Sequence, residues 1–156
     1  MTKKRIGFYG GTFDPLHFGH INLALSLKEL HQLDEVWFCP AWQSPHKNGE
    51  VYTTPEQRLA MVKLAVEEIP NCKVLDLEIK RQGPSYTVDT LKELHQLYPQ
   101  NKFFLLMGND TAKSFFQWKD PKHLIELAKP LVGIRTTIND FSLAPGTDMG
   151  VFEQAV

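Results

Sequence analysis

At 156 residues the chain has the length of one domain, since domains cluster near ~100–200 residues. Hydrophobic residues make up 42% and charged residues 22% of it, an ordinary globular balance that excludes a disordered or collagen-like chain. Seventeen Lys+Arg against eighteen Asp+Glu leave a formal net charge of -1; no bulk positive field exists to hold nucleic acid or an anionic membrane, and any phosphate must be captured locally.

Ile6 to Tyr9 predicts a first strand, stopped by Gly10 and Gly11. Ile21, Ala24, Leu25, Leu27, Leu30 and Leu33 recur near a helical period and predict a helix from His20 to Leu33. Val36 to Cys39 reads as a second strand ended by Pro40, and Ser44-Pro45 with Asn48-Gly49 marks a loop. Thr54-Pro55, with Glu56 and Gln57, opens another helix whose apolar face would be Leu59, Val62, Ala65, Val66 and Ile69, stopping before Pro70. Val74 to Ile79 predicts a strand, and Thr87-Val88-Asp89 starts a helix to about Leu97, with Thr87 as its cap. Phe103 to Met107 is a nearly continuous apolar strand, as expected where both sheet faces are covered. Pro121 to Ala128 reads as helix and Leu131 to Ile134 as a last strand, with residues 136–156 expected as a poorly defined loop tail.

Strands separated by helical patterns of about 10–15 residues imply βαβ units and a parallel sheet. No linker interrupts the pattern, so residues 1–156 are expected as one unit. Cys39 and Cys72 are far apart, each in or beside an apolar run, and read as buried reduced thiols. No stretch approaches the ~18 consecutive apolar residues of a membrane helix. The apolar segment behind Lys3-Lys4-Arg5 breaks at Gly10-Gly11, too early for a signal peptide. A cytoplasmic location is the expectation.

The densest chemical constellation, Gly10 to His20, follows the first strand and runs into the first helix, where α/β sheets place ligands. Its two glycines let backbone approach a bulky anion, and amides at the helix start present unpaired donors. The spacing fits neither the Gly-x-Gly-x-x-Gly dinucleotide fingerprint nor a Walker A loop. His17 and His20 lie three apart, on one side of a first helical turn. Read singly, His17 would be a cap and His20 a satisfied buried histidine. As a pair in this turn they read as donors to phosphate oxygens. A third metal ligand is not evident beside them, so no protein-held metal is expected.

Gly10-Gly11-Thr12-Phe13-Asp14-Pro15-Leu16-His17-x-Gly19-His20 resembles the signature of the HxGH nucleotidylyltransferases. The resemblance implies a Rossmann-like α/β fold, with helices on both faces of a parallel sheet. Its two histidines, His17 and His20, would be catalytic, stabilising a triphosphate during in-line attack on the α-phosphate without a covalent enzyme intermediate. Ser44-Pro45-His46-Lys47 is similar to the Pro-x-His-Lys loop of bacterial nicotinate-mononucleotide adenylyltransferases, and Ser85-Tyr86-Thr87-Val88-Asp89-Thr90-Leu91 to that family's Ser-Tyr-Thr-x-Asp-Thr-Leu segment. Gly108-Asn109-Asp110 followed by Trp118 matches a Gly-x-Asp and a later tryptophan in the same family.

By this resemblance Gly10, Gly11, Thr12, Phe13, Lys47, Gly108 and Asp110 serve ATP and its phosphates; Asp110 would hold either the ribose or a metal-bound water. Asp14, Thr87, Trp118 and Lys119 serve the acceptor, Thr87 through its amide to a pyridine carboxylate and Trp118 by stacking. Lys119 stands where an aromatic residue is frequent, and only its backbone amide would be needed. The implied reaction joins ATP and nicotinate mononucleotide into nicotinate adenine dinucleotide and pyrophosphate, with Mg²⁺ held on the triphosphate mostly by phosphate oxygens and water.

The family's pattern continues past its fifth strand with an Ile-Ser-Ser-Thr-x-Ile/Val-Arg segment, which has no match after Ile134-Arg135 here. A C-terminally shortened sheet is therefore expected. It would expose an edge on which two copies pair into a homo-oligomer unless the tail covers it. Two alternatives stand beside the leading one: a weakened or inactive nucleotide-binding remnant, and an adenylyltransferase whose acceptor is nicotinamide mononucleotide or phosphopantetheine.

Overall fold

The structure, a computed structural model, describes residues 3–45, 53–134 and 153–155. In chain order its elements are β1 (Arg5–Gly11), α1 (Phe18–Leu30), β2 (Glu35–Pro40), α2 (Pro55–Val66), β3 (Cys72–Val74), α3 (Leu77–Arg81), α4 (Thr87–Leu97), β4 (Lys102–Gly108), α5 (Asn109–Ala112), α6 (Pro121–Leu127), β5 (Ala128–Gly133) and β6 (Glu153–Ala155). All strand pairs are parallel and the sheet order is β3-β2-β1-β4-β5-β6. The chain builds outward from β1 to β3, then returns to lay β4 on β1's other side. That reversal, between β1 and β4, is the crevice at which such sheets take ligands.

Because successive strand residues face opposite ways, β4 feeds two cores. Phe103, Leu105 and Met107 join Ile6 and Phe8 of β1 under Val88, Leu91 and Leu94 of α4 and Leu124 of α6. Phe104 and Leu106 join Tyr9 and Phe38 under Leu23, Ala24 and Leu27 of α1 and Val62 and Val66 of α2. Each fully buried leucine is worth roughly 1.5–3 kcal/mol against leaving it in water. Close packing leaves no room for a methyl at Gly133, where a Cβ would stand 2.7 Å from Leu23 Cγ.

Helix α1 ends at Leu30, three residues before the sequence expectation, because Gln32 turns left-handed at φ 54°. Its last carbonyls are taken up by Leu33 N–H, which donates to Lys28 O, and by Arg5, whose guanidinium donates to the carbonyls of His31 and Gln32. Helix α2 opens as its sequence predicts, with a reciprocal Thr54–Gln57 capping box and Pro55 in the first turn. Of its predicted apolar face Val62 and Val66 are buried and Ile69 packs against the core, whereas Ala65 is exposed and Arg58 faces inward.

The predicted strand Val74 to Ile79 is a correction. Pairing with β2 stops at Val74, and Lys80 N–H donates to Asp76 O to close the turn of α3. The alternating pattern lost to a tertiary contact, since the short helix buries Glu78 against Thr90 of α4. The last strand, expected over Leu131 to Ile134, spans Ala128–Gly133, and α6 stops at Leu127 to make way for it. Of the tail expected as loop, residues 153–155 form β6, which pairs in parallel with Leu131 to Gly133 of β5; residues 135–152 and 156 lie outside the described residues.

At the N-terminal ends of the strands, Glu35 accepts from Lys4 Nζ (2.7 Å) and Trp37 Nε1 (2.9 Å) and is ion-paired with Lys73 Nζ (3.2 Å). Burial alone would raise its pKa; the hydrogen bonds from Lys4, Trp37 and Lys73 outweigh it and hold the carboxyl at about 2. Among the described residues no helix is long and apolar enough to cross a membrane.

Candidate functional site

Strand β1 carries its ladder through both glycines, Gly10 opposite Cys39 and Gly11 opposite Pro40, beyond the Tyr9 limit expected from sequence. A Cβ on Gly11 would stand 3.3 Å from the Phe13 ring, so the bend after the strand is built on bare backbone. Phe13 itself is buried with φ 51°, a conformation unfavourable for a bulky L-residue. Its ring is caged by Tyr9 (5.4 Å between centroids), Phe38 (6.2 Å) and His20 (5.2 Å), and this packing offsets the backbone cost.

His17 is the N-cap of α1. Its Nδ1 accepts from Gly19 N–H at 3.1 Å, while its own N–H donates to His20 Nδ1 at 3.1 Å. The rings stack with centroids 3.8 Å apart. With both Nδ1 atoms acting as acceptors, each neutral ring must carry its proton on Nε2. The cap reading and the phosphate-donor reading of His17 are therefore compatible: capping fixes the tautomer that makes Nε2 a donor.

Two adjoining cavities open at this end of the sheet. One, of about 170 Å³, is lined by Tyr9, Phe13, His20 and Gly108. The other, of about 330 Å³, is lined by Ala41, Glu78, Ser85, Thr87, Ser114 and Trp118. Gly10, Gly11, Thr12, Asp110 and Thr111 border both, so the two form one crevice with a shared floor. Thr12 Oγ1 is buried there without a hydrogen-bond partner among the described residues, and an orphaned polar atom of this kind favours a polar ligand. No lysine or arginine among the described residues lines either cavity; the described donors there are backbone amides, hydroxyls and the His20 imidazole.

Most sequence-predicted site residues thus meet. Gly10, Gly11, Thr12 and Asp110 border both cavities, Phe13, His20 and Gly108 the smaller, and Thr87 and Trp118 the larger. His17 lines neither and stacks on His20. Asp14 also lies outside the lining, accepting from the Thr53 hydroxyl. Lys119 is turned away, its Nζ 3.2 Å from Asp89 Oδ2 and over the Tyr86 ring. Lys47 lies outside the described residues. Thr87 is not a cap: Tyr86 holds that position without a side-chain bond, and Thr87 is the first residue of α4, where backbone N–H groups lack intrahelical acceptors.

Four contributors carry no site role in the sequence reading, two of them, Gly19 and Ser85, although they stand within its motifs. Glu78 was hidden in the predicted strand. Burial pushes its carboxyl pKa up, against hydrogen bonds from Thr90 and Ser85 and the charge of Arg81. Ser85 ties the loop before α4 to the end of β2, accepting from Trp42 N–H at 3.0 Å and donating its own N–H to Gln43 O at 2.9 Å. Gly19 leaves room for a ring: a Cβ there would stand 2.9 Å from His17 Cε1. Arg58 is 1% exposed and donates to the carbonyls of Thr12, Ala41 and Trp42. Its spacing with Val62 and Val66, four residues apart each time, was the available signal for its inward face.

Among the described residues no group of three His, Cys, Asp or Glu side chains could hold a metal. Asp110, exposed at the border of both cavities, is the lining carboxylate suited to a hard cation that arrives on a polyphosphate and keeps its waters.

A family described as cytidylyltransferase-like matches residues 8–150 of the chain. A Desulfitobacterium hafniense protein named probable nicotinate-nucleotide adenylyltransferase is 46% identical over 125 residues, covering 80% of this chain and 60% of its own length. One of the same name from Shewanella pealeana is 44% identical over 128 residues, 82% of this chain and 59% of its own length. The chain thus spans about 60% of the length of these curated relatives. A solved Plasmodium falciparum nicotinic acid mononucleotide adenylyltransferase, complexed with NaAD, superposes with a TM-score of 0.76 at 21% identity, over 97% of this chain and 74% of that one. At that identity the likeness bears on the fold alone.

Proposed function

The chain belongs to the cytidylyltransferase-like family, and from that premise we propose that its crevice transfers an adenylyl group from ATP to nicotinate mononucleotide in the cytoplasm, giving nicotinate adenine dinucleotide and pyrophosphate for NAD biosynthesis. Names borne by relatives at 44–46% identity support this acceptor. The observation that carries the reading is the stacked imidazole pair, both Nδ1 atoms taken up by backbone N–H groups, beside a cavity that shares its floor with one holding Trp118 and the start of α4.

In this reading a phosphate oxygen of the acceptor attacks the α-phosphorus of ATP in line. A phosphorus–oxygen bond forms to the acceptor as the bond to the departing pyrophosphate breaks. His17 and His20 donate from Nε2 to the oxygens on which negative charge grows, and the floor of Gly10, Gly11, Thr12 and Phe13 holds the phosphates through backbone amides. Lys47 reaches the triphosphate from its loop. The Thr87 amide binds the pyridine carboxylate and the Trp118 ring lies against the pyridine, with Asp14 and the Lys119 amide completing the acceptor site. Asp110 takes the ribose hydroxyls or a water of Mg²⁺, which neutralises phosphate charge when bound.

The test is pyrophosphate release by this 156-residue chain with ATP and Mg²⁺, offering nicotinate mononucleotide, nicotinamide mononucleotide and phosphopantetheine side by side. Release with nicotinate mononucleotide alone is expected. Nucleotide binding without release counts for a non-catalytic binding protein, and faster release with another acceptor removes the acceptor assignment.

A further inference from the structure

Buried behind the shared floor of the crevice is a cation to which the proposed reaction gives no task. Arg58 Nη1 donates to the carbonyls of Thr12 (2.8 Å) and Ala41 (2.5 Å), and Nη2 to that of Trp42 (2.9 Å). Three main-chain oxygens from the exits of β1 and β2 are thus gathered on one guanidinium. Among the described residues no carboxylate lies within ion-pair distance of it.

In a planar trans peptide the carbonyl and the N–H point in opposite directions. At the exit of β2 the consequence is visible: the Ala41 carbonyl accepts from Arg58, and the N–H of the same peptide, that of Trp42, donates to Ser85 Oγ at 3.0 Å. At the exit of β1 the Thr12 carbonyl is held likewise, which turns the N–H of Phe13 away from α2. No described backbone or side-chain atom accepts from that N–H, and Phe13 lines the smaller cavity together with His20. The φ of 51° at Phe13 is a torsion that changes when this peptide rotates. Rotation to the extended region would relieve it and point the N–H the other way. A strained peptide and a buried donor gripping its oxygen belong together.

We propose that Arg58 is a positioning residue, which holds the Thr12–Phe13 peptide so that the Phe13 N–H stands as a donor to the phosphates of the bound nucleotide. The proposal rests on the adenylyl-transfer reading of the crevice. It separates the two substrates by degree: Arg58 also holds the Ala41 carbonyl beside the larger cavity, but the strained peptide that it fixes serves the phosphates, so its loss falls chiefly on ATP.

Titration calorimetry on the wild-type chain, Arg58→Met and Arg58→Lys, with ATP and separately with nicotinate mononucleotide, reads this difference, and urea unfolding reports that each variant is folded. Loss of one charge-assisted contact corresponds to a drop in ATP affinity on the order of 10–100-fold in Arg58→Met. The mononucleotide is expected to change by about threefold or less, and Arg58→Lys, whose ammonium still reaches a carbonyl, to recover part of the ATP affinity. Equal losses for both ligands, or full ATP affinity in Arg58→Met, overturn the proposal. If Arg58→Met does not fold, Arg58→Lys decides by the same ratio of losses. A crystal structure of a folded variant stripped of the Thr12 contact, with the Thr12–Phe13 peptide unturned, overturns it whatever the nucleotides do. A wild-type chain that binds neither nucleotide instead sinks the adenylyl-transfer reading, and that crystal structure still decides the peptide's orientation.

Discussion

The backbone N–H of His17 holds the ring of His20 by donating to its Nδ1, while Nδ1 of His17 accepts from Gly19. Nitrogen chemical shifts of both imidazoles in neutral solution are expected to report the Nε2–H tautomer. Substituting His20 by Ala should lower pyrophosphate release by on the order of 10²–10⁴ if its Nε2 meets developing phosphate charge. The capping loss alone would cost only about 0.5–2 kcal/mol of stability. Unchanged turnover in a folded His20→Ala protein removes the histidines from the chemistry.

Gly19 serves the same pair by being small. In Gly19→Ala the new methyl would press on His17 Cε1 and Nδ1, at 2.9 and 3.0 Å before relaxation. Alanine favours helix over glycine by about 1 kcal/mol, so stability should hold or rise slightly while turnover falls toward that of His17→Ala. Denaturation midpoint and pyrophosphate release, measured on the same preparation, separate the two effects; full activity in this variant contradicts the steric argument.

Thr90 donates its hydroxyl to Glu78 Oε2 at 2.9 Å in a buried setting. Replacing it with Val, similar in shape, should cost about 1–3 kcal/mol. Because burial already raises the Glu78 pKa above its ordinary 4.5, the folded protein holds this proton more tightly than the unfolded chain. The resulting stability is present below the ordinary value and fades as pH rises through the folded one. Removing a donor to the carboxylate pushes the folded pKa higher still, so Thr90→Val should lose more stability at pH 8 than at pH 4.5. Equal losses in urea at the two pH values count against the contact.

Glu35 behaves in the opposite sense. Its folded pKa of about 2 lies below the ordinary 4.5, so its contribution is complete above the ordinary value and drains away as pH falls toward the folded one. The lysine partners are about half exposed, and solvent screening reduces the contribution to on the order of 1–3 kcal/mol. Glu35→Gln should be less stable than the parent at pH 7 by about that amount, with the gap closing between pH 4.5 and 2. Urea titrations across that range check it; a gap that stays constant into acid would assign the loss to packing.

The core strands and the turn after β1 were legible because their signals are local and strong. Phe103 to Met107 has no other use for so many apolar side chains, and the glycines and histidines stand within eleven residues. What escaped reading depends on contacts between distant segments. Val74 to Ile79 alternates like a strand, and only the distant Thr90 and Ser85 explain why Glu78 goes inside on a helical turn. Arg58 looks like a solvated helix charge until three carbonyls from two other loops are placed around it. Thr87 resembles a cap in sequence, yet the chain enters α4 one residue earlier, which leaves its amide rather than its hydroxyl at the helix mouth. Glu153 to Ala155 carries no periodic signal, since three residues on an edge need only backbone to pair.

The ionic cluster on Glu35 sits where β2 begins, and the crevice opens where it ends, five residues or roughly 17 Å along the strand. The charges that steady the sheet and the residues that line the crevice are therefore open to change separately in this molecule. Recharging the far rim around Lys4, Glu35 and Lys73 leaves every residue that lines the crevice in place.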